Sequence, residues 1–264
     1  MLFECASDDE AERLVAGLLC DFPVDLPIFL ELDILRAGAV PEICKLLLDS
    51  GGYADATSSR HASAMSVVAI LMRDGWRSER SQKLIAAIAK IHRLQGVPDE
   101  YLLYAIAILL AAPIRWCRRL GWRPLTTAEE QALGRFWTSV AEQMGLQKVP
   151  QTTRQWLAWE SSYQANWNGN DATVRQMTAI AVKIFTQRFP RGTGWVARVL
   201  VTSLLDDPLL RTLGFQRPSA FIRKPVLWAL QFRRHFQRHT PWFRRTGSRI
   251  VPKLTCPFAP HRKY

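Results

Sequence analysis

The sequence predicts an all-α fold, arranged as one domain and followed by a basic, non-helical tail. Apolar residues recur three and four positions apart along most of the chain, and no useful run alternates with the period of two that marks a half-buried strand. The 264 residues are 48% hydrophobic and 22% charged, so the chain can bury one large core. There is no internal repeat of about 20–50 residues.

Capping residues and glycines mark the ends of the predicted helices. A capping box from Ser7 to Glu10 opens the first helix, and a second, from Thr127 to Glu130, opens one that closes at Gly145. The other predicted helices are Pro41–Leu48, Arg60–Arg73, Ser78–Gln95, Tyr101–Ala112, Thr153–Trp167, Thr173–Phe189, Val196–Leu205 and Pro218–His239, with Pro113–Leu120 as a separate short cationic segment.

The helix from Tyr101 to Ala112 is apolar on all sides, which predicts a place at the centre of the core. Its apolar run ends at Ile114 after 14 residues, fewer than the roughly 20 that a bilayer span needs. The residues from Met1 to Glu4 lack the basic start of a secretory signal. We therefore expect a cytoplasmic protein, soluble or peripheral to a membrane.

The five cysteines are an odd number, widely spaced and without a C-x-x-C pair. This pattern argues against a disulfide scaffold or a zinc ribbon and favours reduced, mostly buried thiols.

The net charge of +12 is concentrated at the carboxyl end of the chain. The first 50 residues carry 11 acidic and 3 basic side chains, whereas residues 218–264 carry 11 basic and no acidic ones. A segment of this kind predicts contact with an anionic partner, either nucleic acid or a membrane surface. Peripheral membrane contact is the expectation we keep, and no specific nucleic acid is expected.

Among five histidines, His92 is the informative one, because it shares a helix face with Ile85 and Ile88. One interpretation is a core histidine that hydrogen-bonds a carbonyl or hydroxyl group. The other is an axial ligand to a haem between helices, whose propionates would need cations such as Arg60 and Arg123. His235 and His239 are spaced for a metal, but three neighbouring arginines favour a solvated basic face.

Ordered strings in the middle of the chain carry a resemblance to a known family. They are Ile91-His92-Arg93, Asp99 to Tyr104, Gly121 to Thr126 with Glu129, Phe136-Trp137, Gln143 to Leu146, Val149 to Thr152, Trp159-Glu160, Tyr163 and Asn166. In this order, from about Arg36 to Pro218, the chain resembles the MpaB-type and rubber-oxygenase catalytic domain family. The ordered set is more specific than any single string.

The resemblance implies a globin-like, multi-helix domain around a pocket for haem b. Characterised members use dioxygen to cleave carbon–carbon double bonds of isoprenoid chains. His92 matches the proximal iron ligand, and Arg60 matches the arginine of an R-x-x-x-T motif on the distal helix, which makes Arg60 the candidate catalytic residue and a haem contact. Arg123 is the further cofactor-binding candidate.

Two positions depart from the family pattern. The motif threonine is replaced by Ala64, and the lysine that rubber oxygenases carry just before it is Ser63. Without the lysine, the closed six-coordinate state of some members cannot form in the same way. Without the threonine, a distal hydrogen bond is lost, although His61 or Ser63 could substitute. The change bears on catalysis more than on haem binding.

These observations predict an all-α domain over residues 1–240 and a basic, irregular tail over 241–264. The predicted function is a haem b oxygenase that acts with dioxygen on an apolar, alkene-containing, isoprenoid-like substrate. Two alternatives stay open: a non-catalytic basic helical protein that binds nucleic acid or an anionic membrane, and an inactive family member that still binds haem.

Overall fold

The computed structural model describes residues 7–49, 57–165, 167, 171–186 and 192–240. Within these ranges the chain forms twelve α-helices and no strand, so the all-α prediction is confirmed there. The helices are α1 (Asp8–Asp21), α2 (Asp25–Ala37), α3 (Pro41–Asp49), α4 (Thr57–Asp74), α5 (Glu79–Leu94), α6 (Asp99–Arg119), α7 (Thr127–Gln143), α8 (Thr153–Gln164), α9 (Ala172–Thr186), α10 (Gly194–Leu204), α11 (Asp207–Thr212) and α12 (Ala220–His239). The predicted tail over 241–264 lies outside the described residues.

Helix α6 forms the centre of the core, as its apolar sequence predicts. It packs against α2, α7 and α8, while α1 packs against α4 and α7. In the part of the chain described here, α6 is the one helix long and apolar enough to cross a membrane, and 67% of its most apolar window is buried inside the protein. Its side chains therefore face other helices, as expected of the core helix of a folded domain.

Helix α6 continues through Pro113, so the prediction of a separate segment over residues 113–120 is wrong. Proline lacks the N–H that would bond the carbonyl of Leu109, which usually ends or bends a helix. Here Pro113 is buried between turns that belong to the core, and Trp116 beyond it donates a hydrogen bond to Asp25 at 2.7 Å. Tertiary packing on both sides of the proline stabilises the continuous helix.

Two helices are absent from the sequence prediction. Prolines are typical of turns, and Pro23 lies just before α2, but Pro27 lies in its first turn, where a backbone N–H has no helical partner to bond. The six-residue α11 begins at a capping aspartate, Asp206, which accepts a hydrogen bond from the N–H of Leu209 at 3.1 Å. Helical periodicity does not predict α11 because it has only six residues, and it does not predict α2 because of the nearby prolines.

The second predicted capping box lies one residue earlier than expected. Oγ1 of Thr126, not Thr127, accepts from the N–H of Glu129 at 3.2 Å, and the Glu129 carboxylate accepts from the N–H of Thr126 at 2.7 Å. An equivalent pair, Thr152 and Gln155, opens α8. The helix-ending role of Gly145 is confirmed by its φ of 79°, a value that favours glycine.

The expectation of reduced thiols holds for Cys44 and Cys117, which are free and buried. Burial raises the pKa of the Cys44 thiol to about 12. Cys20 differs from the expectation, because it is disulfide-bonded.

At Gly134 the backbone of α7 lies close to Thr153, the first residue of α8. A Cβ atom at this position would lie 2.2 Å from Oγ1 of Thr153, whose hydroxyl donates to the carbonyl of Glu130 at 2.7 Å. Gly134→Ala is therefore expected to lower the free energy of unfolding by about 2 kcal/mol. Gly17 in α1 is a matched control, since a Cβ there meets nothing within 4 Å. Gly17→Ala is expected to raise the same quantity by about 0.5–1 kcal/mol.

Urea unfolding of both variants, followed by circular dichroism, measures the difference. A Gly134→Ala protein as stable as the wild type would contradict this packing of α7 on α8.

Candidate functional site

His92 lies in the last turn of α5, and local signals fix its backbone. Ser78 caps the helix by accepting from the N–H of Ser81 at 3.2 Å. Past the other end, Gly96 has a φ of 63°, and the N–H of Val97 donates to the carbonyl of His92 at 3.0 Å. This is the pattern of a Schellman-type helix end, so the chain reverses direction immediately after the histidine.

The imidazole of His92 is half-buried, and its Nδ1 atom is fully buried without a hydrogen-bond partner in the described part of the chain. Burial lowers the pKa of His92 below its usual 6.5, and the carbonyl of Ile88, one turn earlier, opposes the shift only partly. The ring is therefore neutral near pH 7, the form that ligates metals. Both interpretations stay open, since the Ile88 carbonyl lies near the ring as a core histidine would need, while the geometry leaves Nδ1 without a partner.

The end of α5 around His92 presents apolar side chains that the described residues leave uncovered. Ile85 is buried, as the helical spacing predicts, but Ile91 is 52% exposed and Leu94 is 78% exposed. Because residues one and two positions apart on a helix point to different faces, Ile91 and Leu94 do not line the side of α5 that carries the imidazole of His92.

Arg60 lies in α4, the helix that precedes α5 and packs against it. The side chains of Arg60, His61 and Ser63 are outside the described residues, so the predicted distal role of Arg60 stays a prediction. Ala64 is described and is exposed. The position predicted to match the family threonine therefore offers a methyl group and no hydroxyl.

Arg123 is held by two carboxylates. Its guanidinium donates to both oxygens of Glu129, at 2.7 and 2.6 Å, and to Asp21 at the end of α1. The same group lies 5.2 Å from the ring centroids of Phe22 and Trp122. These contacts join the start of α7 to α1 and already balance the charge of Arg123.

The structure does not bring Arg123 together with His92. Glu129, the partner of Arg123, lies in the first turn of α7, which is about 25 Å long. Gly145, just past the other end of α7, lies beside the guanidinium of Arg93, the neighbour of His92. The two sites are at opposite ends of one helix, and the contacts of Arg123 give it a structural role; its haem contact stays a prediction.

The structure also contains a group of internal ion pairs that no pattern in the sequence predicts. Arg36 is 5% exposed and pairs with Asp206, while Arg115 donates to both oxygens of Glu160, at 2.8 and 2.6 Å. Gln164 donates to Glu160 at 2.8 Å. Arg36 and Arg115 also line a cavity of about 40 Å³, enough for one or two waters. No local signal could reveal partners 170 residues apart, such as Arg36 and Asp206.

No group of three or more His, Cys, Asp or Glu side chains able to hold a metal occurs among the residues that the structure describes. His235 and His239 lie with ring centroids 4.6 Å apart, and both are exposed on α12. The predicted iron site depends on one histidine only, since a porphyrin supplies the other ligands.

The chain is similar to a family of oxygenase domains. The profile described as "ER-bound oxygenase mpaB/B'/Rubber oxygenase, catalytic domain" matches residues 32–244, a span that includes α12. The chain is 22% identical over 204 residues to ER-bound oxygenase mpaB' of Penicillium brevicompactum, covering 70% of this chain and 48% of that protein.

Two further relatives are called ER-bound oxygenase mpaB. The protein of Penicillium roqueforti (strain FM164) is 22% identical over 198 residues, covering 68% of this chain and 66% of the relative. The protein of Penicillium brevicompactum is 24% identical over 207 residues, covering 71% and 53%. The chain thus spans about half to two-thirds of the length of these relatives.

Proposed function

Because this chain belongs to the MpaB/rubber oxygenase catalytic domain family, we propose that it is an oxygenase and that it binds haem b through His92. The observation that carries the proposal is the state of His92, a neutral imidazole with an unpartnered, buried Nδ1 atom. One neutral histidine is what a haem iron needs from the protein on its proximal side.

The residues around His92 fit this group. The carbonyl of Ile88 is the nearby acceptor toward which the ring N–H of an axial histidine would be directed, which would orient the other nitrogen for iron. The buried Ile85, on the same helix face as His92, supplies apolar surroundings on that side. Haem bound here would supply the dioxygen chemistry that protein side chains lack.

The chain's own residues would bind the substrate and exclude water. With the family, we propose an apolar substrate, an alkene of the isoprenoid type, with dioxygen as co-substrate. Arg60, on the helix that packs against α5, would supply positive charge on the distal side. Since Ala64 has no hydroxyl, Arg60 would act there without the threonine of related domains.

The relatives are called ER-bound. We propose that this chain likewise acts at a membrane surface, from the cytoplasmic side, where an apolar substrate would partition. This part of the proposal concerns location alone and is independent of the haem.

Titration of the full chain with haem b, followed by absorption spectroscopy, tests cofactor binding. We expect a Soret band that saturates at one equivalent of haem. The loaded protein is then expected to consume dioxygen with an isoprenoid alkene and to release a carbonyl product, but not with the saturated analogue. Absence of a saturable Soret band would overturn haem binding. A normal Soret band without alkene-dependent oxygen uptake would instead overturn the oxygenase and leave an inactive haem protein.

A further inference from the structure

Helix α12 exposes a continuous row of aromatic side chains. Phe221 is 91% exposed, Trp228 77%, Phe232 71% and Phe236 44%. These residues are seven, four and four positions apart, so they share one helix face along about 22 Å. We call these four side chains the aromatic face of α12. Trp195 on α10, which packs against α12, is 68% exposed as well.

The opposite face of α12 is held to the core by polar contacts. Arg233 is paired with the carboxylate of Asp25, which is 1% exposed. Gln237 is 3% exposed, and Leu230 packs against the core. The inward face combines polar groups with Leu230, while the large aromatic groups face outward, which is unusual for a helix on a soluble domain. The buried ion pair fixes this orientation, so rotation cannot bury the aromatic face.

An exposed aromatic face of this size on a domain surface indicates an interaction site. The charges around it indicate the partner. Helix α12 carries five Lys and Arg residues and no Asp or Glu, and residues 218–264 as a whole carry 11 basic and no acidic side chains. Lys224 and Arg238 are exposed on α12 itself. Two copies of this surface would repel each other, so self-association is disfavoured.

We propose that the aromatic face of α12 is a docking surface for an anionic lipid bilayer. The helix would lie in the plane of the interface, with Phe221, Trp228, Phe232 and Phe236 inserted among the acyl chains. The exposed Lys224 and Arg238 would contact the lipid phosphates. The surface is α12 itself, within the folded domain, and the proposal does not depend on haem.

Sedimentation of the full chain with phospholipid vesicles tests the proposal. Vesicles of phosphatidylcholine with about 30% phosphatidylserine are expected to bind the wild type, and pure phosphatidylcholine vesicles to bind it more weakly. Trp228→Ser with Phe232→Ser is expected to weaken binding to the anionic vesicles about tenfold or more. Because both side chains are exposed, circular dichroism and the melting temperature should remain those of the wild type.

Two charge variants separate the contribution of α12 from that of net charge. Lys224→Gln with Arg238→Gln is expected to weaken binding, more so at low salt. Arg80→Gln with Lys83→Gln removes two exposed cations of α5, which are 61% and 74% exposed, and is expected to leave binding unchanged.

Wild-type affinity in the Trp228→Ser, Phe232→Ser protein would overturn the proposal. So would binding to duplex DNA, but not to vesicles, that the same substitutions abolish, since this would identify a nucleic-acid surface. A dimer in gel filtration that the substitutions dissociate would overturn it as well.

Discussion

The His92→Ala protein is expected to bind haem b about a hundredfold more weakly than the wild-type chain and to show no normal Soret band. The side chain removed is the imidazole whose buried Nδ1 lacks a partner and whose pKa is lowered by burial. No other histidine lies on α5, and both histidines of α12 are exposed beside arginines. We therefore expect no substitute ligand from these helices.

His235→Ala is the matched control, because it removes an exposed imidazole and is expected to bind haem as the wild type does. Free imidazole added to His92→Ala should restore part of the Soret band, which distinguishes a lost ligand from a misfolded protein. His92→Gln, closer in volume, guards against a cavity effect. A wild-type spectrum in both His92 variants would show that the iron ligand lies elsewhere.

Arg233→Met is expected to lower the free energy of unfolding by about 3 kcal/mol. It leaves the carboxylate of Asp25 buried, with the indole N–H of Trp116 as its remaining hydrogen bond in the described structure. An uncompensated buried charge costs far more than the ion pair contributes. Lys224→Met, on the same helix but exposed, is expected to change stability by less than about 0.5 kcal/mol.

Combining Asp25→Asn with Arg233→Met removes both charges and is expected to recover part of the loss, so the two effects should not add. Chemical unfolding of all variants at one pH measures this coupling. Additive effects, or a neutral Arg233→Met, would contradict the buried contact between α12 and α2.

The helix boundaries that could be predicted are those with local causes. Ser7, Ser78 and Gly96 act on backbone groups within one turn, so their chemistry is visible in a few residues. The continuation of α6 through Pro113 depends on residues far along the chain, such as Asp25, which contacts Trp116. Local propensity alone therefore predicts a break that the core overrides.

The candidate site residues also differ in whether their surroundings have local or long-range causes. The position of His92 on an apolar face follows from its spacing to Ile85 and is confirmed by the burial of Ile85. The neighbourhood of Arg123 depends on Asp21, which is 102 residues away, and no pattern in the sequence indicates that pairing. A positively charged residue at a loop end could pair with many acidic groups, and the fold determines which carboxylates lie within reach of it.

The position of α6 in the chain has a consequence for biosynthesis. This helix is apolar enough to be taken for a membrane span, and α7 and α8, which cover two of its sides, follow it in the sequence. It therefore leaves the ribosome before those partners exist, when α2 is already made and can shield one side of it. Until α8 has been synthesised, the nascent chain carries an uncovered apolar segment that membrane-insertion machinery and chaperones can bind. We therefore expect slow docking of α7 and α8 on α6 to lengthen the time during which this segment is exposed.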